Sequence, residues 1–325
     1  QSFAFFFKKQ KIATNSGAKK RNLKKTFYSN GKLLITGEYV VLDGAIALAL
    51  PTKMGQNLII EDGFNKEIVW KSYDFDGSIW FDDTILFSDI TTKKAFENNS
   101  VKTTLVEILH ESYRLNSSFI NESDGYIVST NLTFPKFWGL GTSSTLINNI
   151  ASWLQIDAFT LLKNAFGGSG YDIACAQNDS AILYQLVNEK PIIKAINFNP
   201  IFKENIYFVY LNKKQNSKTA IANYRKKQGD FANSILIINE ITEVLINTTE
   251  LNEFTKQIEK HEILMSEILG MQTLKEVLFP DFDGTIKSLG AWGGDFAMVI
   301  SKNNPSDYFA AKDYNIIISY ANMIL

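Results

Sequence analysis

Short apolar segments separated by turn-forming residues fill the first third of the chain. Lys32–Val41 (KLLITGEYVV) is apolar at both ends and broken at Gly37-Glu38, which predicts a strand, a turn and a second element. An apolar run over 45–50 follows, and Pro51 is expected to end it. Between 58 and 87, segments rich in Ile, Val, Trp, Tyr and Phe alternate with Asp, Gly and Asn, as in antiparallel strands and hairpins. This third is therefore predicted to be mainly β.

A helical spacing replaces this alternation near residue 101. Apolar residues recur there at i, i+4, i+7 and i+8, the spacing of one buried helix stripe, and they are Val101, Leu105, Ile108 and Leu109. A strand is predicted over 125–131, and helices over 146–154 and 158–166.

The second half mixes helices with short strands. Strands are predicted over 181–186 and 206–211, separated by a Pro- and Asn-containing stretch, 191–200, that is taken as a soft domain boundary. Residues 219–269 have helical composition, and a strand is expected after the glycines of 289–300. The predicted class is α+β in two domains, 27–195 and 196–325.

Composition and charge exclude several classes of protein. The 325 residues carry 33 basic and 34 acidic side chains, a formal net charge of −1, which leaves no global basic field for nucleic acid. One cysteine, Cys175, and two histidines, His110 and His261, exclude an internal disulfide and the usual zinc clusters. Both histidines lie in helical contexts and are expected to be surface or packing residues rather than ligands or bases.

The chain is expected to be soluble, with no membrane partner, because no stretch approaches the roughly 18–20 apolar residues that span a bilayer. Residues 1–26 combine the apolar patch Phe3–Phe7 with a following lysine-rich run. That order differs from a secretory signal, so a poorly ordered basic extension is predicted.

The common nucleotide and hydrolase motifs are absent from the sequence. It contains no Walker-type phosphate loop, no G-x-G-x-x-G fingerprint, no zincin histidine pair after His261-Glu262 and no G-x-S-x-G elbow. P-loop, Rossmann, protease and esterase functions are therefore disfavoured.

A glycine turn, GLGTSS at 139–144, stands directly before a predicted helix. Free N–H groups and the positive end of a helix bind phosphate, and Thr142, Ser143 and Ser144 add hydroxyls for phosphate or magnesium. The same residues also suit an ordinary helix N-cap, so both interpretations stay open here.

Two further segments carry candidate chemistry. GGSGYD at 167–172 delivers a carboxylate, Asp172, into a turn where it can accept a hydroxyl proton, or alternatively cap a short helix. Lys32, beside Gly31, can neutralise phosphate charge or lower the pKa of a nearby acid or alcohol. Taken alone, Lys32 is an ordinary solvated lysine at the end of a strand.

Together these segments resemble the three motifs of the GHMP kinases, the superfamily of galactokinase, homoserine kinase, mevalonate kinase and phosphomevalonate kinase. The first motif matches 31–51, the second Pro135 with 139–144, and the third 290–294, in the family order and across almost the whole chain. Gly170 to Ala174 (GYDIA) also resembles the signature of the GYDIA branch.

The resemblance implies an ATP- and magnesium-dependent, cytoplasmic phosphotransferase with an N-terminal mixed α/β domain and a ferredoxin-like C-terminal domain. Asp172 becomes the base or charge anchor and Lys32 its cationic neighbour. Ser144 becomes the hydroxyl nearest magnesium. The ATP cradle comprises Gly139, Leu140, Gly141, Thr142, Ser143 and Ser144. The residues placed near the substrate are Glu38, Gly170, Gly293 and Gly294, with Glu38 expected to hold its turn together rather than do chemistry.

The implied partner is a small anionic acceptor, and the GSGYD context favours one of mevalonate or phosphomevalonate type. The basic segment 212–219, with Lys213, Lys214 and Lys218, is a candidate contact for such an acceptor, or alternatively a solvated loop. A homodimer stays open, since the aromatic content suits either a core or an interface.

The sequence departs from the family pattern at three places, and one of these departures motivates a different function. The magnesium-binding glutamate of mevalonate kinases falls at Leu161, Lys136-Phe137-Trp138 stands where many relatives have glycine, and Trp292 and Asp295 occupy positions that are often small. The missing glutamate motivates a second hypothesis, a non-catalytic nucleotide or metabolite sensor. A third is a decarboxylase that first phosphorylates its substrate.

Overall fold

The computed structural model describes residues 24–96, 100–214, 217–227 and 231–325, with 217 and 218 described by their backbone alone. The described residues form two sheets. The larger has seven strands in the order β4-β3-β5-β2-β6-β7, with β1 also paired to β2. Its strands are β1 Lys25–Leu34, β2 Ala47–Asp62, β3 Glu67–Tyr73, β4 Ile79–Leu86, β5 Tyr126–Leu132, β6 Ile182–Val187 and β7 Lys190–Ala195.

The helices that accompany this sheet follow its strands along the chain. A 3₁₀ helix at Val40–Asp43 fills the predicted second element after the Gly37 turn. The α-helices are α1 Phe87–Thr91, α2 Val101–Leu115, α3 Ser118–Asn121, α4 Thr142–Leu154, α5 Ala158–Ala165 and α6 Tyr171–Ala176. The stripe predicted on α2 is confirmed, since Leu105, Ile108 and Leu109 are buried while Val101 is exposed at its end.

The smaller sheet is antiparallel, in the order β11-β8-β10-β9, and comprises β8 Ile206–Tyr210, β9 Thr285–Ser288, β10 Phe296–Ile300 and β11 Ile317–Ser319. A second 3₁₀ helix, Lys203–Asn205, precedes β8. The remaining helices are α7 Ser217–Arg225, α8 Ala232–Asn247, α9 Leu251–Leu269, α10 Leu274–Leu278, α11 Ser306–Ala310 and α12 Tyr320–Met323. Strand, helices, two strands, helix, strand is the ferredoxin-like order, as predicted.

One expectation about proline is wrong. Pro51 does not end an apolar run but lies inside β2, opposite Lys32, where the β1–β2 register shifts between Asn30 and Lys32. The stretch 191–200, proposed as a soft domain boundary, begins with a strand, because β7 includes Pro191 and pairs with β6. Proline lacks an N–H group, so it is tolerated at register irregularities and in edge strands such as β7.

The two sheets share a hydrophobic cluster. Leu33 and Leu48 of the first sheet belong to the same group of buried contacts as Phe208 and Met298 of the second and Phe254 of α9. Every strand of the first sheet precedes residue 196 and every strand of the second follows it. The division at 195 stays a prediction, and the shared cluster couples the two sheets whatever the division.

The proposed extension 1–26 lies outside the described residues except for its last three, of which Lys25 already opens β1. Among the described residues, no helix combines the length and the apolar character that crossing a bilayer requires.

Candidate functional site

The glycine turn leads into α4 without a side-chain cap. Gly141 is the N-cap residue, and its φ of 102° favours glycine. Because glycine has no side chain, the N-cap position supplies no side-chain hydrogen bond to the N–H groups of the first turn. The alternative in which serine or threonine supplies an ordinary N-cap is therefore wrong. The first N–H groups of α4 begin at Thr142, beside Ser143, and both residues line a cavity. A helix start with this geometry can bind an anion.

Lys32 is attached to this turn by two hydrogen bonds. Its Nζ donates to the carbonyl of Gly139 over 3.0 Å, and its backbone N–H donates to the carbonyl of Leu140 over 3.0 Å. Its aliphatic stem passes Gly141, where the Cγ atom would lie 3.3 Å from a Cβ. The first strand thus carries a cation to the predicted ATP cradle, although Lys32 precedes it by more than 100 positions.

Asp172 stands in the first turn of α6 and faces the same region. Its Oδ1 accepts the N–H of Ile173 over 3.0 Å, and the Ser144 side chain is a further hydrogen-bond partner. Burial raises the pKa of the Asp172 carboxyl above its ordinary value, against the opposing effect of Lys32. A carboxylate with a raised pKa is a stronger base than a solvated one.

Asp295 is a second carboxylate at this point, which the sequence marked only as a departure from the family pattern. Its side chain lies so close to Gly139 that a Cβ there would collide with it. Burial would lower the pKa of Lys32, but Tyr171, Asp295 and Asp172 outweigh that effect and raise it. Lys32 is therefore a cation between carboxylates. We call Lys32, Tyr171, Asp172 and Asp295 the cavity cluster.

The cavity cluster lines a cavity of about 850 Å³. We call it the central cavity; Gly139, Gly141 and Thr142 to Ser144 also line it. Lys136 and Lys214 also line it, and both lie over the Phe137 ring, with Nζ to ring-centre distances of 4.9 and 5.4 Å. Lys214 thus reaches the site, whereas the side chain of Lys218 lies outside the described residues.

Two smaller cavities adjoin the central cavity. The aromatic cavity, about 350 Å³, shares Thr142 and Ser143 with it and extends between α2 and the strands β3, β4 and β5. The small cavity, about 80 Å³, shares Lys32, Tyr171 and Asp295 and ends among apolar residues. The central cavity thus adjoins the aromatic cavity at the start of α4 and the small cavity at the cavity cluster.

The other predicted site residues lie near these cavities, but not all of them line one. Leu140 is a core residue whose carbonyl faces Lys32. Gly170 precedes α6 and packs near Phe159 and Tyr184. Gly293 donates its N–H to the Ser288 hydroxyl and Gly294 to the Ala291 carbonyl, so both serve the turn before β10, and the described cavities are lined instead by Gly290, Ala291 and Asp295.

Glu38 lines the small cavity, but its carboxylate is paired behind the cavity wall. Oε1 forms an ion pair with Lys287 of β9, and Oε2 lies 3.4 Å from Nε2 of His261 on α9. Glu262 completes this buried cluster, accepting the Ser288 N–H over 3.1 Å. The expectation that Glu38 holds its turn together agrees with this placement; its contact with a substrate stays a prediction.

The buried cluster has its protonation set by burial. Gly37 donates its N–H to Nε2 of His261 over 3.0 Å, so that nitrogen carries no proton, and burial together with Lys287 holds the pKa of His261 well below its ordinary value. Burial raises the pKa of Glu262 to about 7 and also raises the pKa of Glu38. His261 is therefore a neutral packing residue, as predicted.

The oxygen donors of the central cavity suit a magnesium ion. No group of three or more His, Cys, Asp or Glu side chains is gathered for a metal within the described ranges. Ser144, Asp172 and Asp295 nevertheless line one cavity with only oxygen ligands, the type that magnesium prefers, and it commonly completes its shell with phosphate and water. Leu161 is fully buried in the core beside α4, so α5 contributes no acid to this cavity.

Comparison with known proteins finds solved structures with the same fold but no sequence relatives. No protein-family model and no curated protein sequence matches the chain. The solved mevalonate kinase of Methanococcus jannaschii is 14% identical and matches 93% of this chain and 98% of its own with a TM-score of 0.64. The Streptococcus pneumoniae phosphomevalonate kinase, in complex with phosphomevalonate and AMPPNP, is 17% identical, with 89% and 96% covered and a TM-score of 0.62. The Lactococcus lactis galactokinase complexed with galactose is 11% identical, with 93% of each chain covered and a TM-score of 0.64.

Proposed function

We propose that this chain, which has the fold of the GHMP kinases, is an ATP-dependent kinase that transfers the γ-phosphoryl group to a hydroxyl or phosphate of a small molecule. One observation carries the proposal. Lys32, Asp172 and the uncapped start of α4 come from distant parts of the sequence and line the same cavity. Phosphoryl transfer needs these three parts together: a cation, a base and an anion cradle.

The phosphates of ATP are proposed to lie against the glycine turn. The N–H groups at the start of α4 and the hydroxyls of Thr142 and Ser143 face the central cavity. Lys136 and Lys214, which line the same cavity, add positive charge. Because the chain as a whole is nearly neutral, this local arrangement, and not net charge, would hold a polyphosphate.

The chemical step follows from the cavity cluster. An acceptor hydroxyl would lose its proton to Asp172 as its oxygen bonds to the γ-phosphorus, and the bond from that phosphorus to the bridging oxygen of ADP would break. Lys32, held protonated between Asp172 and Asp295, would stabilise the negative charge on the transferred group. Bound magnesium, held by Ser144 and the phosphate oxygens of ATP, would supply further charge neutralisation.

The two side cavities suit the other parts of the reactants. The aromatic cavity adjoins the start of α4, has apolar walls and can hold the adenosine of ATP. The small cavity reaches Lys32 and Asp295 and, at about 80 Å³, can hold one end of an acceptor that extends from the central cavity. An anionic acceptor of mevalonate or phosphomevalonate type is part of the proposal, supported by structural neighbours bearing those names, as is a cytoplasmic location. A homodimer is compatible with it.

The test is ADP production from Mg-ATP with mevalonate, phosphomevalonate, diphosphomevalonate, homoserine and simple sugars as acceptors. Asp172→Asn is measured in parallel, with Asp124→Asn as the matched control, since Asp124 is exposed and pairs only with Lys66 at the surface. We expect turnover with one acceptor, lost in Asp172→Asn by about 10²- to 10⁴-fold and kept in the control.

Two results would replace the kinase by the alternatives. Tight ATP binding without turnover, for any acceptor in the panel, would favour a nucleotide sensor. Release of carbon dioxide together with ADP would favour a decarboxylase that phosphorylates its substrate first.

A further inference from the structure

Two residues that line the aromatic cavity each carry a buried polar atom without a hydrogen-bond partner among the described residues. The atoms are Nε1 of Trp80 and Oγ1 of Thr130. Thr130 is only 1% exposed. Most buried polar groups in folded proteins are paired, because leaving one unpaired is costly, so these two atoms are the candidates on this wall for contact with a bound molecule.

A β-bulge places Trp80 on this wall. Ser72 pairs with Phe81, but Tyr73 pairs with Ile79, so Trp80 is an extra residue in β4. Successive side chains of a regular strand point to opposite faces. Trp80 and Phe81 nevertheless both line the aromatic cavity. The bulge therefore turns the indole toward the cavity, which is a common use of bulges beside functional sites.

The position of Thr130 follows from the strand register. Thr130 of β5 is paired with Ser72 of β3, which in turn faces Phe81 of β4, so the three side chains lie in one row across the sheet. Two other polar side chains on the same wall are already paired. Ser72 accepts the indole N–H of Trp70 over 3.1 Å, and Oε1 of Gln56 accepts the Thr145 hydroxyl over 2.7 Å. Among the wall residues named here, Trp80 and Thr130 are thus the two whose polar atoms remain available for a new partner.

We propose that Trp80 and Thr130 recognise the adenine ring of the nucleotide, a role that rests on the proposed kinase function and deepens it. An indole N–H only donates, so Trp80 requires a ring nitrogen with a lone pair. The Thr130 hydroxyl can accept from the exocyclic 6-amino group. Adenine offers both on one edge, with N1 or N7 beside the amino group. Apolar side chains, including Leu105, Ile108 and Leu146, would contact the faces of the ring.

The arrangement also fits the direction of the nucleotide. Thr142 and Ser143 line both the aromatic and the central cavity, so a base in the first is continuous with phosphates in the second. Lys136 lies over the Trp80 ring, with its Nζ 5.5 Å from the ring centre, and also lines the central cavity. Lys136 therefore contacts Trp80, which is proposed to bind the base, and also lines the cavity proposed for the phosphates.

The experiment measures binding of ATP, of tripolyphosphate and of ATP analogues by calorimetry with the full chain. Trp80→Phe removes the N–H donor and Thr130→Val removes the hydroxyl at nearly constant shape. Thr84→Val is the matched control, because Thr84 lies on β4 of the same sheet, outside the three cavities. We expect each reader variant to weaken ATP about tenfold, and tripolyphosphate binding to stay unchanged.

The analogues test the wild-type chain without relying on a variant. Either 7-deaza-ATP or 1-deaza-ATP should bind about tenfold more weakly than ATP, and Trp80→Phe should then add no further loss for that analogue. Purine riboside triphosphate, which lacks the 6-amino group, should in the same way be insensitive to Thr130→Val. The losses of binding free energy from the variant and the analogue fail to add only if the altered side chain contacts the altered atom of the base.

The outcomes separate the two proposals. If wild-type chain binds ATP but neither variant nor analogue changes its affinity, adenine recognition by Trp80 and Thr130 is wrong while the kinase function stands. The same conclusion follows if the variants weaken tripolyphosphate as much as ATP. If the wild-type chain binds neither ATP nor tripolyphosphate and shows no turnover, the kinase function itself is wrong.

Discussion

Two charged clusters of similar composition lie on either side of the Gly37 turn, and they differ in their access to water. The cavity cluster places Lys32 between Asp172 and Asp295 in a cavity of about 850 Å³. The buried cluster places Lys287 against Glu38 with no exposure of the lysine. A buried ion pair holds a structure together only while both partners are present, whereas a pair beside a cavity is free to act on a ligand.

This difference explains why an acidic residue of the first motif does not behave like Asp172. Glu38 has its charge neutralised by a lysine from β9, which joins the first turn to the second sheet. Asp172 shares its lysine with Asp295 and opens onto solvent. The residue types match, but only one cluster is in a position to exchange a proton with a substrate.

The largest expected effect comes from Lys287→Met. It leaves Glu38 buried without its cation, and removing one partner of such a pair costs about 3–5 kcal/mol of unfolding free energy. Urea denaturation measures the loss. The double variant Glu38→Gln with Lys287→Met should recover most of it, since no unpaired charge remains. A double variant as unstable as the single one would show that the ion pair is not what Lys287 contributes.

The buried cluster should also make stability depend on pH. Burial raises the pKa of Glu262 from 4.5 to about 7, so the folded state binds its proton more tightly than the unfolded state. The resulting stability, about 3 kcal/mol, is fully present below pH 4.5 and is lost as pH rises to about 7. The difference between wild type and Glu262→Gln, measured by denaturation from pH 4 to 8, should show this fall. Glu243→Gln, an exposed change on α8, should leave the curve unaltered.

The same substitution in the cavity cluster, Lys32→Met, should act on rate. Loss of one group that stabilises transition-state charge typically lowers turnover about 10²-fold, or about 2.7 kcal/mol. Unfolding free energy should fall by less than in Lys287→Met, because Lys32 and Asp172 are only partly buried, whereas Lys287 and Glu38 are buried. Steady-state kinetics and denaturation of the two methionine variants side by side give the contrast. Equal stability losses with normal turnover would contradict the division into two kinds of cluster.

The smallest effect is expected from Asp295→Asn. Asp295 helps raise the pKa of Lys32, so its neutralisation should lower that pKa and move the alkaline limb of the pH–rate profile to lower pH. The profile of kcat against pH measures this directly. An alkaline limb that stays in place would show that Tyr171 and Asp172 suffice to keep Lys32 protonated.

The sequence predicts those parts of the fold that depend on local pattern. The stripe of α2, the strands over 58–87 and the strand–turn sequence around Gly37 all follow from residue spacing, and the structure confirms them. Of the hairpins expected over 58–87, the structure has the one between β3 and β4, whereas β2 pairs with β5 instead of β3. The course of the chain at Pro51 and Pro191 is missed, because only the neighbouring strands determine whether a proline is tolerated.

The site shows the same limit. Lys32, Asp172 and the glycine turn are found because each belongs to a short recognisable motif. Asp295 is 263 positions from Lys32 and has no motif of its own, and Trp80 reaches its cavity only through a bulge. Contacts of this kind depend on tertiary arrangement, so residue spacing carries no signal for them.

The pair of lysines around Phe137 has a consequence for kinetics. Lys136 and Lys214 place two positive charges beside the central cavity of a protein whose net charge is only −1. A polyanion feels such a local field only within about a Debye length, some 8–10 Å at physiological salt. If the proposed nucleotide binds here, its association rate should therefore fall as salt is added, while its dissociation rate, governed by contacts inside the cavity, changes little.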